Sequence, residues 1–137
     1  MKANTYLNFN GNCEEAFNFY KKAFGVEFTT FMRFKDFPGE GYSPPKSEEN
    51  MVMHVSLPIG KHNALLGSDT PSRMGKAVFG SNFSVSLHPD NESDAKKLFD
   101  SLSQGGKIIM PLSKTFWAKS YGMFVDKFGV QWMVNYE

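Results

Sequence analysis

One strand–helix pattern occurs twice in this chain, and this repetition constrains the fold more than any other feature. In both copies a short extended run precedes a helix, and apolar residues of the helix recur at positions i, i+3, i+4 and i+7. That spacing places one apolar stripe along the helix, to be buried against a sheet. The matching residues are Ala16, Phe19, Tyr20 and Ala23 in the first copy and Ala95, Leu98, Phe99 and Leu102 in the second. The repetition indicates a duplicated module.

The ends of the two helices support this interpretation. Asn12 is placed to cap the first helix, acidic residues follow it, and Gly25 is placed to end it. The second helix is expected to begin within residues 90–93 and to end before Gly105. Both copies therefore contain a helix of similar length with defined ends.

Three strand candidates follow each helix, which makes each copy a βαβββ unit and predicts an α+β fold. We expect one domain with a first module of residues 1–68, a linker of 69–78 and a second module of 79–137. A loop rich in proline and glycine is expected at 36–50, and tight turns at 58–60 and 126–129 predict hairpins. The predicted strands are 6–9, 27–34, 51–57 and 62–67, then 83–87, 107–110, 121–125 and 130–136.

Composition excludes several classes of protein. Lysine and arginine number 15 against 14 aspartate and glutamate residues, so the charge does not favour a nucleic acid or an anionic membrane as partner. The single cysteine, Cys13, excludes an internal disulfide, and no apolar stretch is long enough to span a bilayer. We therefore expect a soluble cytoplasmic protein. The 14 Phe and 8 Met residues fill a core or line an adaptable apolar cavity.

Alternation along the strands predicts which side chains face away from the helices. Three strands each present a face of small or neutral polar groups. Those faces indicate a curved sheet around a cavity, or alternatively a face that is only solvated. The groups are His54 and Ser56 in one strand, Asn82, Ser84 and Ser86 in another, and Gln131, Met133 and Asn135 in the last.

Two segments resemble a known family. Residues 6–20, YLNFNGNCEEAFNFY, are similar to the opening of the PhnB-like branch of the glyoxalase/bleomycin resistance/dioxygenase (vicinal oxygen chelate) superfamily. Residues 116–133, FWAKSYGMFVDKFGVQWM, resemble its closing stretch, except that Ala118 stands where the family more often has glycine. The resemblance extends over nearly the whole chain. It implies two βαβββ modules whose curved sheets surround a cavity, often within a homodimer.

Members of this branch are often labelled 3-demethylubiquinone-9 3-methyltransferase-like. The common methyltransferases bind their nucleotide-like cofactor at a glycine-rich loop within a doubly wound parallel sheet. This sequence has neither that loop nor the pattern of a parallel sheet, so methyl transfer is not expected.

The resemblance also implies where a divalent metal would bind. Its ligand positions fall on Thr5, Asn82 and Met133, with a fourth near residues 64–66. A hydroxyl, an amide and a thioether are poor ligands for a divalent ion. We therefore expect no metal and no other cofactor.

Candidate site residues follow from the face assignment and the resemblance together. His54 is the candidate catalytic residue, as a general base or anion ligand, unless it is a structural histidine. Cys13 is expected to be a small, half-buried thiol rather than a nucleophile. The predicted ligand-binding residues are Thr5, Leu7, His54, Asn82, Ser84, Trp117, Tyr121, Gln131 and Met133.

Three functions remain open at this point. The first is binding of a small organic molecule in a sheet-lined cavity without the usual metal. The second is metal-free catalysis by an isomerase, lyase or transferase, with His54 as the acid–base group. The third is sequestration of a ligand, as in drug-binding relatives. A small-molecule ligand and a second copy of the chain are the expected partners.

Overall fold

The structure, a computed structural model, describes residues 1–36 and 43–137 and forms two compact units, Met1–Val78 and Phe79–Glu137. Each unit contains an α-helix and a mixed four-stranded sheet in the order βαβββ, which confirms the predicted α+β class and the two βαβββ modules. Within the described ranges, no helix combines the length and apolarity needed to cross a membrane.

Both sheets have the same topology. The first unit comprises β1 (Thr5–Phe9), α1 (Cys13–Phe24), β2 (Thr30–Arg33), β3 (Val52–Ile59) and β4 (Asn63–Asp69), with sheet order β1-β4-β3-β2. The second comprises β5 (Val85–Leu87), α2 (Glu92–Ser103), β6 (Lys107–Ser113), β7 (Ser120–Val125) and β8 (Gln131–Tyr136), with order β5-β8-β7-β6. The first strand of each unit pairs in parallel with the last, and the remaining pairs are antiparallel.

Several element ends differ from the prediction. The strand predicted at 27–34 forms only over Thr30–Arg33, and the one predicted at 83–87 begins at Val85. The first hairpin turns at residues 60–62 rather than 58–60, because Gly60 supplies the positive φ of 74° that the turn requires. β6 continues to Ser113 through irregular pairing with β7.

Part of the predicted loop, residues 37–42, lies outside the described residues. The later part of this loop is hydrogen-bonded to another segment of the first unit. Lys46–Glu48 forms a short 3₁₀ helix, and the buried carboxylate of Glu48 accepts a hydrogen bond from the backbone N–H of Ser72 at 2.6 Å.

Each helix packs a phenylalanine ring onto a glycine of its sheet. Phe17 of α1 lies over Gly67, where a Cβ atom would be 2.5 Å from the ring. Phe99 of α2 lies over Gly122 at the same distance. A larger residue at either glycine would force the phenylalanine ring out of its position. In α1 the buried stripe includes Phe17, whereas Phe19, which was predicted to be buried, is half-buried.

A buried aspartate joins three elements of the first unit. Asp69 ends β4 and is 2% exposed. Its Oδ1 accepts hydrogen bonds from the backbone N–H groups of Gly11 and Cys13, at 2.8 and 2.9 Å, where α1 begins. Its Oδ2 accepts from the N–H of Val52, at 2.9 Å, where β3 begins. Asn12 occupies the N-cap position but makes no side-chain capping bond, so Asp69 satisfies the helix start instead of the predicted Asn12.

A second buried aspartate, Asp126, organises the last hairpin. Asp126 Oδ1 accepts from the backbone N–H groups of Phe128 and Val130, at 2.8 and 3.0 Å. Its Oδ2 accepts from the indole N–H of Trp132, at 2.8 Å, so the turn is tied to the core residue that follows it.

We expect Asp69→Asn to lower the free energy of unfolding by roughly 2–4 kcal/mol, because an amide presents one acceptor oxygen and would turn its NH₂ group towards a backbone N–H. Urea unfolding followed by circular dichroism measures the change. The matched control is Asp100→Asn, which removes an exposed ion pair with Lys96 and is expected to cost less than about 1 kcal/mol. Equal stability of the two variants would contradict the role given to Asp69.

Candidate functional site

In each unit the helix covers one side of the sheet, and we call the opposite side the open face. Alternating burial identifies it in the first unit. Leu7 and Phe9 of β1 are buried on the helix side. Tyr6 and Asn8, which alternate with them along the strand, are exposed. The open face of the first unit consists of Tyr6, Asn8, Thr30, Met32, His54, Ser56, Ala64, Leu66 and Ser68.

An aromatic pair lies on this face. The ring of Tyr6 stacks on His54 with 5.9 Å between centroids and 25° between planes, and the Tyr6 hydroxyl lies 3.5 Å from Nδ1 of His54. The strand register places Leu66 and Ser56 in one row with Tyr6. The face therefore combines a flat aromatic surface with hydroxyl and imidazole groups that donate and accept hydrogen bonds.

The open face of the second unit is built in the same way. Its central residues on β7 and β8 are Tyr121, Met123, Gln131, Met133 and Asn135, and Ser86 of β5 adjoins Met133. Gln131 Nε2 donates a hydrogen bond to the carbonyl oxygen of Gly80, at 2.7 Å. Its amide is thereby held in place, while the two methionines provide soft apolar surface.

An aromatic cluster adjoins this second open face. Trp117, which is 46% exposed, meets the ring of Tyr121 edge to face with 5.2 Å between centroids. Phe116 packs in the same manner against Trp117 at 4.7 Å. The structure thus places three predicted site residues, Tyr121, Gln131 and Met133, on one face of the second unit, with a fourth, Trp117, in contact with Tyr121.

Asn135 was on the predicted polar face but was not a predicted site residue. It lies directly opposite Tyr121 in the sheet and is 8% exposed. Its Nδ2 donates to the side chain of Glu137 at 3.2 Å. Its Oδ1 is the buried side-chain atom that finds no hydrogen-bond partner among residues 1–36 and 43–137. Alternation along β8 predicts on which face of the sheet Asn135 lies. It does not predict that the side chain is buried away from water.

Other predicted site residues lie away from the open faces. Leu7 is buried beneath α1, and Thr5 shares that side of β1, because the packing of Phe9 on Phe17 fixes the odd-numbered residues towards the helix. Tyr6 and Asn8 are therefore the contribution of β1 to the face of His54. The sequence already indicates this face, because the apolar residues Leu7 and Phe9 alternate with Tyr6 and Asn8.

In the second unit, Asn82 and Ser84 precede β5. Asn82 is exposed and Ser84 is half-buried. Neither therefore occupies a strand position of the open face. Their predicted ligand roles remain predictions.

The donor set does not fit the divalent ion that the resemblance implies. Thr5 lies on the helix side of its sheet, Asn82 is exposed outside a strand, and Met133 offers a thioether. Among the described residues, His, Cys, Asp and Glu side chains form no group of three that could hold a metal ion. We derive no metal-dependent step.

The remaining reactive side chains have structural or surface positions. Cys13 is fully buried, and burial, reinforced by the carboxylates of Asp69 and Glu14, raises the pKa of its thiol far above the usual range. It is not a nucleophile in the folded protein. His62 is exposed in a turn, and His88 is exposed with its Nε2 3.0 Å from Ser86 Oγ.

Comparison with known proteins agrees with this architecture. The model of the Glyoxalase/Bleomycin resistance protein/Dioxygenase superfamily matches residues 2–134. Protein YjdN of Escherichia coli is 31% identical over 98% of this chain and 95% of its own length.

Two solved structures are similar over their full lengths. Protein PA1353 from Pseudomonas aeruginosa is 39% identical with a TM-score of 0.86, covering 100% of this chain and 98% of that one. A PhnB protein from Bacillus cereus, described as a putative 3-demethylubiquinone-9 3-methyltransferase, is 28% identical with a TM-score of 0.78, covering 100% of both chains.

If the donor set is as poor as its chemistry indicates, Mn²⁺, Ni²⁺ or Zn²⁺ added at tenfold excess will leave the melting temperature within about 1 °C of its value in EDTA, because ligand binding stabilises only in proportion to affinity. Differential scanning fluorimetry measures this, with metal analysis of protein purified without chelator as its complement. One ion per chain, lost on Met133→Ala but not on Met74→Ala, would contradict the expectation.

Proposed function

Because this chain belongs to the glyoxalase/bleomycin resistance protein/dioxygenase superfamily, we propose that it binds a small organic molecule on the open faces of its sheets, without a metal at the usual positions. The observation that supports this most is the composition of the open faces. Both combine an exposed aromatic ring with hydrogen-bonding groups, Tyr6 with His54 in the first unit and Trp117 with Tyr121 and Asn135 in the second. Such a mixture is typical of small-molecule sites.

The alternative is that these faces are merely solvated. A solvated sheet face is usually polar and charged, as the exposed sides of the two helices are here, with Lys22, Lys96 and Lys97. The open side of β1 to β4 instead has hydroxyl, amide, imidazole and apolar groups, and Tyr6 is 43% exposed there. The composition therefore favours binding over simple hydration.

Metal-free catalysis is a second candidate, as an isomerase, lyase or transferase. The contact between His54 Nδ1 and the Tyr6 hydroxyl favours it, because an imidazole beside a phenol can relay a proton to a bound molecule. Under this alternative, His54→Gln would retain ligand binding and abolish turnover. Sequestration without turnover requires only the binding step.

We do not extend the methyltransferase description of the Bacillus cereus protein to this chain. Both sheets here are mixed, with one parallel pair each, and within the described residues neither is the doubly wound parallel sheet on which the common methyltransferases bind their cofactor. The homodimer that the resemblance implies remains a proposal.

Native mass spectrometry tests the proposed function. We expect protein purified in one affinity step to retain a noncovalent small organic molecule. Trp117→Ala or Tyr6→Ala, according to the unit whose open face holds the molecule, should lower its occupancy about tenfold, since loss of one aromatic contact is worth about 1 kcal/mol or more. The control Lys97→Ala, on the exposed side of α2, should retain full occupancy. A wild-type protein without bound molecules, or variants with unchanged occupancy, would contradict the proposal.

A further inference from the structure

The amide of Asn135 has a fixed orientation. Its Nδ2 donates to Glu137 Oε1 at 3.2 Å, and a carboxylate accepts hydrogen bonds but does not donate them. Exchanging the amide oxygen and nitrogen would therefore place two acceptors against each other. Oδ1 is consequently the free end of the side chain, and it is an acceptor.

Folding removes this acceptor oxygen from water and gives it no other hydrogen-bond donor among the described residues. Asn135 is more than nine-tenths buried, and its Oδ1 has no donor within the described part of the chain. A buried amide oxygen without a hydrogen bond destabilises the fold, whereas an apolar residue of similar size would not. A bound molecule that supplies an N–H or O–H group would remove this cost.

The neighbours of Asn135 define what that donor is attached to. Tyr121 lies directly opposite it on β7, and Met133 lies two residues before it on the same face of β8. Trp117 packs edge to face on Tyr121. These three side chains are aromatic or apolar, so they favour a flat ring. The carboxylate of Glu137, at the Nδ2 end of the amide, disfavours an anion.

We propose that Asn135 determines ligand specificity in the second unit, its amide oxygen accepting a hydrogen bond from the N–H or O–H group of a neutral aromatic or heteroaromatic molecule whose ring packs against Tyr121 and Trp117. The inference rests on the proposed small-molecule function and names the class of ligand for it. Asn135 accepts a hydrogen bond from the donor group of the ligand, and Tyr121 and Trp117 pack against the ligand's ring.

Indole and 1-methylindole test the donor directly, because they share a ring system and only indole has an N–H. Titration of the full chain, followed by nuclear magnetic resonance (NMR), should give about tenfold tighter binding of indole. Asn135→Leu should bind both compounds with equal affinity, and its melting temperature should not fall below that of the wild type. The matched control is Gln104→Leu, an exposed amide at the end of α2 and outside the open face, and it should retain the preference.

The outcomes separate this inference from the proposed function. Equal binding of the two compounds to the wild type overturns the role of Asn135, yet leaves small-molecule binding intact. Absence of binding by both overturns the ligand class, while a retained molecule in native mass spectrometry still supports the proposed function. Loss of the preference in Gln104→Leu as well as in Asn135→Leu also overturns the assignment. The comparison within the wild type needs no variant, so a misfolded variant does not remove the test.

Discussion

The carboxylate of Asp69 is the constraint on which the first unit depends. It gathers three backbone N–H groups, two where α1 begins and one where β3 begins, at the end of β4. Because these hydrogen bonds join α1, β3 and β4 at one point, α1 must lie across one side of the sheet. The position of α1 in turn determines which side chains of each strand face the helix. Asp126 has a comparable role in the second unit, where it joins the last turn to Trp132.

Once the helices are fixed, the two sides of each sheet differ in chemistry. On the helix side the rings of Phe17 and Phe99 press onto Gly67 and Gly122, so that side is filled. The opposite sides retain aromatic rings, thioethers and neutral polar groups. The packing of the core and the proposed binding of ligands thereby involve different faces of the same strands.

Much of the fold could be predicted from the sequence, because helix periodicity, the position of Gly25 and the turn at Asp126 are local signals. The resemblance implies a ligand position at Thr5, whereas Thr5 and Leu7 lie on the helix side of β1 in the structure. An offset of one residue in such a placement reverses the face of a strand. The roles of Asp69 and Asn135 depend on tertiary contacts. Asp69 bonds to groups 56 and 58 residues away, and the burial of Asn135 is a property of the folded unit.

The account requires that ligands contact the open faces and not the helix sides or the remaining surface. Methionine methyl groups report this directly, since Met32, Met123 and Met133 lie on the open faces and Met74 is exposed on a 3₁₀ helix. NMR spectra of ¹³C-methyl-methionine protein can be compared before and after bound small molecules are removed by unfolding and dialysis. The account predicts shifts at one or more open-face methyl groups and none at Met74. Unchanged open-face methyl signals, alongside a shift at Met74, would contradict it.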